Sequence, residues 1–98
     1  MTIKKEQNGS ALLLSLEGRL DTTTAPELEA VFKTSLLDIT ALTLDFAELV
    51  YLSSAGLRVI LAAQKQMNNQ GKMVVKNVSE AIMEIFEVTG FVDILTIE

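Results

Sequence analysis

The chain contains no cysteine, no histidine and no tryptophan among its 98 residues, and only one proline and one tyrosine. Without cysteine there is no disulfide, no thiolate nucleophile and no zinc site that needs sulfur; without histidine the commonest general base and metal ligand is gone. A Ser-His-Asp triad is therefore impossible, and the scattered carboxylates offer no evident pairing of acid with base. The expectation is a chain that is not an enzyme and that needs neither cofactor nor metal. Positive charge is also scarce. Eight Lys and Arg against thirteen Asp and Glu leave a net charge of -5, which opposes attraction to nucleic-acid phosphates and to anionic lipid headgroups. No run reaches the roughly 18 apolar residues that span a bilayer, and the stretch from Met1 to Ser10 is polar rather than signal-like. Together these absences predict a cytoplasmic location, with no binding of nucleic acid and no membrane insertion.

What is present is a core. Hydrophobic residues make up 49% of the chain, enough apolar surface to offset the entropy of ordering in a length that suits one domain. Leu12, Leu14 and Leu16 alternate along Ala11–Glu17 and predict a strand with one buried face. Before it, Thr2 to Gln7 reads as a first strand joined through Asn8-Gly9, a dipeptide that accepts positive φ in a tight hairpin, so the two strands pair antiparallel. Thr24-Ala25-Pro26-Glu27 then predicts a helix start, Thr24 as cap, Glu27 reaching back and Pro26 in the first turn. Leu28, Val31, Phe32, Ser35 and Leu36 supply its apolar stripe.

Ala41–Phe46 predicts a third strand, and Leu49, Val50, Tyr51 and Leu52 carry the chain toward Ser53-Ser54-Ala55-Gly56, where either serine suits a helix cap. Leu57, Ile60, Leu61, Gln64 and Met67 mark the face of that helix, widened by Val59, Ala62 and Ala63, and Gly71 ends it. Met73–Val75 reads as a short strand. Asn77-Val78-Ser79-Glu80 starts another helix by the same cap logic, with Ile82, Ile85 and Phe86 facing the core and Gly90 closing it. Val92, Ile94, Leu95 and Ile97 predict a last strand. The order β-β-α-β-α-β-α-β places the chain in the α/β class, one mixed sheet of about five strands packed by three to four helices. Met67, Met73 and Met83 read as core fillers.

Three groups of residues carry a resemblance: Gly18-Arg19-Leu20-Asp21 after the second strand, Leu44-Asp45-Phe46 in the third, and Tyr51-Leu52-Ser53-Ser54-Ala55-Gly56-Leu57-Arg58 at the following helix start. In these the chain resembles the STAS domains of sulfate transporters and anti-sigma factor antagonists, over nearly its whole length. The resemblance implies a single STAS domain over 1–98 with the STAS fold. It further implies a partner-switching antagonist, bound in its unphosphorylated form by an anti-sigma factor with serine-kinase activity, switched off by phosphorylation and reset by a phosphatase. Ser54 falls on the phosphorylated serine of such antagonists. Ser53 stands where they usually carry aspartate, and is the second choice for the modification. Asp21, Thr22, Thr23, Ser53, Ser54, Gly56, Leu57 and Arg58 form the expected partner-binding surface, on a monomer or weak dimer. The alternative is a constitutive STAS binding subunit of a transporter ATPase complex.

Physical chemistry gives the serine a rationale of its own. A hydroxyl at a helix start lies beside unpaired backbone N–H groups and the positive end of the helix dipole, so a phosphate there is tolerated within the fold while it obstructs a partner. The plainer role for both serines is capping, as a turn is for Asp21 and as a strand terminus is for Asp45 near the same end of the sheet.

Overall fold

The computed structural model describes Met1–Glu98 in the order β1 (Thr2–Asn8), β2 (Ala11–Leu20), α1 (Ala25–Ser35), β3 (Ala41–Leu52), α2 (Ser54–Asn68), β4 (Lys72–Lys76), α3 (Glu80–Thr89) and a 3-10 turn, Phe91–Asp93. The sheet follows chain order, β1-β2-β3-β4. β1 pairs antiparallel with β2 through a turn whose two free residues are Gly9 and Ser10, one step later than Asn8-Gly9, because Asn8 still pairs with Ala11. β2, β3 and β4 are parallel, each joined to the next by a helix, as parallel neighbours require.

Alternation decides what lies inside. Leu12, Leu14, Leu16 and Leu20 of β2, Leu42, Leu44 and Phe46 of β3, and Met73 and Val75 of β4 are buried. They join Leu28 and Phe32 of α1, Leu57, Ile60, Ala63 and Met67 of α2, and Ile82 and Phe86 of α3 in one core cluster. Each fully buried side chain of this kind contributes about 1.5–3 kcal/mol. Neighbours of opposite parity, Leu13, Ser15, Thr43, Asp45 and Val74, are only half-buried, so the helices line one face of the sheet. Met67 and Met73 fill the core as expected; Met83 is half-buried.

β3 is longer than its alternation predicts because its pairing with β2 slips twice. Ser15 faces Asp45 and Arg19 faces Tyr51, four steps on one strand against six on the other, so β3 holds two bulged residues. Its buried positions accordingly step from every second residue, Leu42, Leu44 and Phe46, to every third, Leu49 and Leu52. Bulges of this sort re-aim a strand's end, and here they deliver the chain to the start of α2.

Two expectations about the last third of the chain need correction. The fifth strand over Val92, Ile94, Leu95 and Ile97 does not form. Gly90 takes a left-handed φ of 82° as the cap of α3, and Phe91 then stacks on Phe86 at 6.5 Å between ring centroids, which winds the chain before it can extend. Only a parallel bridge between Val75 and Ile97 remains, in which the Val75 N–H donates to Thr96 O and the Glu98 N–H donates to Val75 O, both at 2.9 Å. The sheet thus has four strands and the fold three α-helices. The cap of α3 is Ser79, whose Oγ accepts from the Ile82 N–H at 3.3 Å. Asn77 sits outside the helix at φ 58° and donates instead to Asp45 Oδ1 at 3.0 Å.

Candidate partner-binding site

Leu20 and Leu52 close adjacent parallel strands in register, so the β2–α1 loop and the start of α2 leave the sheet side by side, where loops of such sheets gather around partners. The Ser53 N–H donates to Leu20 O at 2.9 Å and ties the two together. Ser53 is extended (φ -97°, ψ 173°) and is the cap of α2: its Oγ accepts from the Gly56 N–H at 3.4 Å. Ser54 is the first residue of the helix and is exposed. One serine therefore holds the helix end and the other offers a hydroxyl to solvent.

Gly56 lets this helix lie close to the strands. A Cβ there would stand 2.7 Å from Leu20 Cγ and 2.8 Å from Leu52 Cδ1, both on fully packed side chains. Leu57, 7% exposed, turns inward as well. Gly56 and Leu57 therefore shape the site from beneath, whereas Thr22, Thr23, Ser54 and Arg58 are exposed and Asp21 and Ser53 half-buried.

The loop at Asp21 is ordered by its own short side chains. Asp21 Oδ1 accepts from the N–H groups of Thr23 at 3.0 Å and Thr24 at 3.1 Å, an Asx turn. Thr24 does not cap α1 with its side chain as the sequence predicts. Its hydroxyl donates to Arg19 O at 2.7 Å and accepts from the Asp21 N–H at 2.9 Å, so it latches the loop to the end of β2, and the Glu27 capping box does not form. The Thr24 N–H, first among the causes, lowers the Asp21 carboxyl below its ordinary 3.8; partial desolvation opposes this, and Thr23, the Thr24 hydroxyl and Arg19 add to it. Asp21 is an anion at neutral pH.

Arg19 is the member that composition and periodicity do not reveal. Its guanidinium lies 4.1 Å from the Tyr51 ring centroid, an arrangement that attracts, and its Nε is 3.6 Å from Asp21 Oδ2. Arg19 and Tyr51 face each other only because of the second bulge in β3, and the three-step spacing from Leu49 to Leu52 was the trace of it in the sequence. On the other flank of Ser54, Pro26 and Glu29 of α1 face Ala55 and Arg58 of α2 across an open groove.

Asp45 lies away from this end of the sheet. It pairs with Ser15 in the register, and the last five residues of β2 lie between that level and Asp21, roughly 20 Å at strand rise. Its carboxyl is lowered first by the Asn77 side-chain amide and then by the Ala47 N–H, against some desolvation, with Lys76 adding a smaller pull. Asp21 and Asp45 are thus not brought together.

The family model of the STAS domain matches residues 2–98. The chain belongs to the STAS domain family. Among its relatives, this STAS domain is similar to the anti-sigma-B factor antagonist of Listeria monocytogenes, 30% identical over 96 residues that cover 96% of this chain and 84% of the relative. In three dimensions it is similar to an anti-sigma factor antagonist from Mycobacterium paratuberculosis, with a TM-score of 0.88 and 24% identity over 98% of this chain and 83% of that one. It is also similar to the Bacillus cell fate determinant SpoIIAA in its phosphorylated form, with a TM-score of 0.78 and 18% identity over 99% of this chain and 91% of that one. At these identities the two solved structures speak for a shared fold.

Proposed function

We propose that this STAS domain is an anti-sigma factor antagonist that binds a kinase-type anti-sigma factor while Ser54 is unmodified and is released once Ser54 carries phosphate. The observation that carries the reading is the division of labour at the start of α2, where Ser53 is engaged as the cap and the Ser54 hydroxyl faces solvent. The likeness to the anti-sigma-B factor antagonist of Listeria monocytogenes supports the class of partner. Thr22, Thr23, Arg58 and the Asp21 carboxylate present the docking surface around it, with Gly56 and Leu57 holding the helix in position.

In the proposed step the Ser54 Oγ attacks the terminal phosphorus of ATP held by the partner kinase. An O–P bond forms, the bond to the ADP leaving group breaks, and the hydroxyl proton passes to a base of the kinase. The product adds roughly -1.5 to -2 charge units beside the unpaired N–H groups of α2, where the helix dipole favours negative charge. The fold is retained and the docking surface is not. A phosphatase returns the domain to its binding form, all within the cytoplasm, and the chain serves as substrate and ligand rather than catalyst.

Site-mapped mass spectrometry of the protein from its native cells, under growth and under stress, tests this directly. A single phosphate on Ser54 that phosphatase removes supports the switch. Phosphate on Ser53 moves the site by one residue, and an unmodified chain under every condition counts against the mechanism.

A further inference from the structure

The charge of the molecule is segregated. Residues 1–77 carry eight Lys or Arg and eight Asp or Glu, whereas residues 78–98 carry Glu80, Glu84, Glu87, Asp93 and Glu98 and no basic residue. The whole net charge of -5 therefore lies on α3 and the segment that follows it, with all five carboxylates exposed.

The same helix displays more apolar surface than the core uses. Ile82 and Phe86 are its buried residues. Ala81, Ile85 and Val88 form a second row, four and then three residues apart, the spacing that places side chains along one side of a helix. Val88 is 81% exposed, Ala81 is exposed and Ile85 half-buried; with Glu84 they line a shallow depression along the helix. Just beyond its end Val92 and Ile94 add 41% and 48% exposed side chains. Scattered exposed apolar residues are ordinary, but a row of them rimmed by charge of one sign marks an interaction surface.

The rim also selects the occupant. Anionic membranes and nucleic acids meet like charge there. A second copy bound face to face would set five carboxylates against five. A helical row accepts the ridge of another helix, and Lys and Arg flanking that ridge would neutralise the rim.

We propose that the outer face of α3 is a second docking surface, fitted to a basic amphipathic helix of a protein partner. It shares no residue with the Ser54 site, and it stands or falls independently of phosphorylation there. Held by such a helix, the domain is kept near its partner while the Ser54 surface binds and releases, which raises the effective concentration for each cycle.

The test uses the full chain labelled with 15N and a synthetic Leu/Lys amphipathic helix of about 18 residues, with a scrambled peptide of the same composition as control. Amide shifts are expected across α3 and residues 91–94, with affinity falling at least about tenfold as salt rises from about 50 to about 300 mM. Val88→Ser, at an exposed position where it adds no charge and does not disturb the core, and the charge reversal Glu84→Lys with Glu87→Lys should each weaken binding at least about tenfold. Equal binding of the scrambled peptide, shifts centred on the α1–α2 groove, no shifts at all, or sedimentation showing self-association through Val88 would each overturn the proposal.

Discussion

Ser53 and Ser54 stand side by side at the start of α2, and their environments differ. Ser53 Oγ accepts from the Gly56 N–H, so Ser53→Ala should lower stability by about 0.5–2 kcal/mol, the range for a lost helix cap. Ser54 is exposed, and Ser54→Ala should stay within about 0.5 kcal/mol of the parent. Urea unfolding of the two variants checks this, and a larger loss for Ser54→Ala would reverse the assignment of roles. Asp21 adds a pH dependence with a defined sign. Its folded carboxyl titrates below 3.8, chiefly through the Thr24 N–H, so its contribution to stability is present above the ordinary carboxylate range and is lost as the pH falls through the lowered value. The difference in urea midpoint between the parent and Asp21→Leu should be open near about pH 7 and narrow in strong acid. An NMR titration should place Asp21 below 3.8.

The bulged strand β3 and the final segment show how elements depart from simple periodicity. α2 is set against the sheet by glycine at both ends of its path. Gly56 lies against Leu20 and Leu52, and Gly71 passes so close to Thr40 that a Cβ would stand 1.9 Å from its carbonyl oxygen. The far edge of the sheet depends on a smaller device, the bridge between Val75 and Ile97. Removing residues 96–98 takes away two backbone hydrogen bonds, worth about 1–3 kcal/mol together, and uncovers the outer edge of β4. Amide exchange should then quicken at Val75, with little change in β2, which is paired on both sides. Unchanged exchange at Val75 would mean that the bridge contributes nothing.

At the scale of the molecule, the core and the surface around Ser54 are separable, because the exposed members of that surface take no part in the buried cluster. Ser54→Asp should therefore melt within a few degrees of the parent, aided by the helix dipole, while its affinity for a kinase-type anti-sigma factor falls at least about tenfold. Calorimetry reads the first and titration the second. A variant that binds as the parent does would remove the basis for a charge-operated switch.

Local information was enough for much of this protein. Strand alternation along Ala11–Glu17, the helical rows from Leu28 and Leu57, and the hydroxyl pair before Gly56 are read within a few residues, because propensity, burial period and capping act over one or two turns. The absence of cysteine and histidine likewise excluded whole chemistries before any fold was known. Tertiary structure decided what depends on residues far apart in the chain: the two bulges that bring Tyr51 over Arg19, the capture of Thr24 by β2 in place of a capping box, and the withdrawal of Asp45 to Asn77. It also decided that the last apolar run would wind over Phe86 rather than extend. Each is a competition between a local preference and a partner that only folding brings within reach, and the nearby partner with the better hydrogen bond or packing prevails.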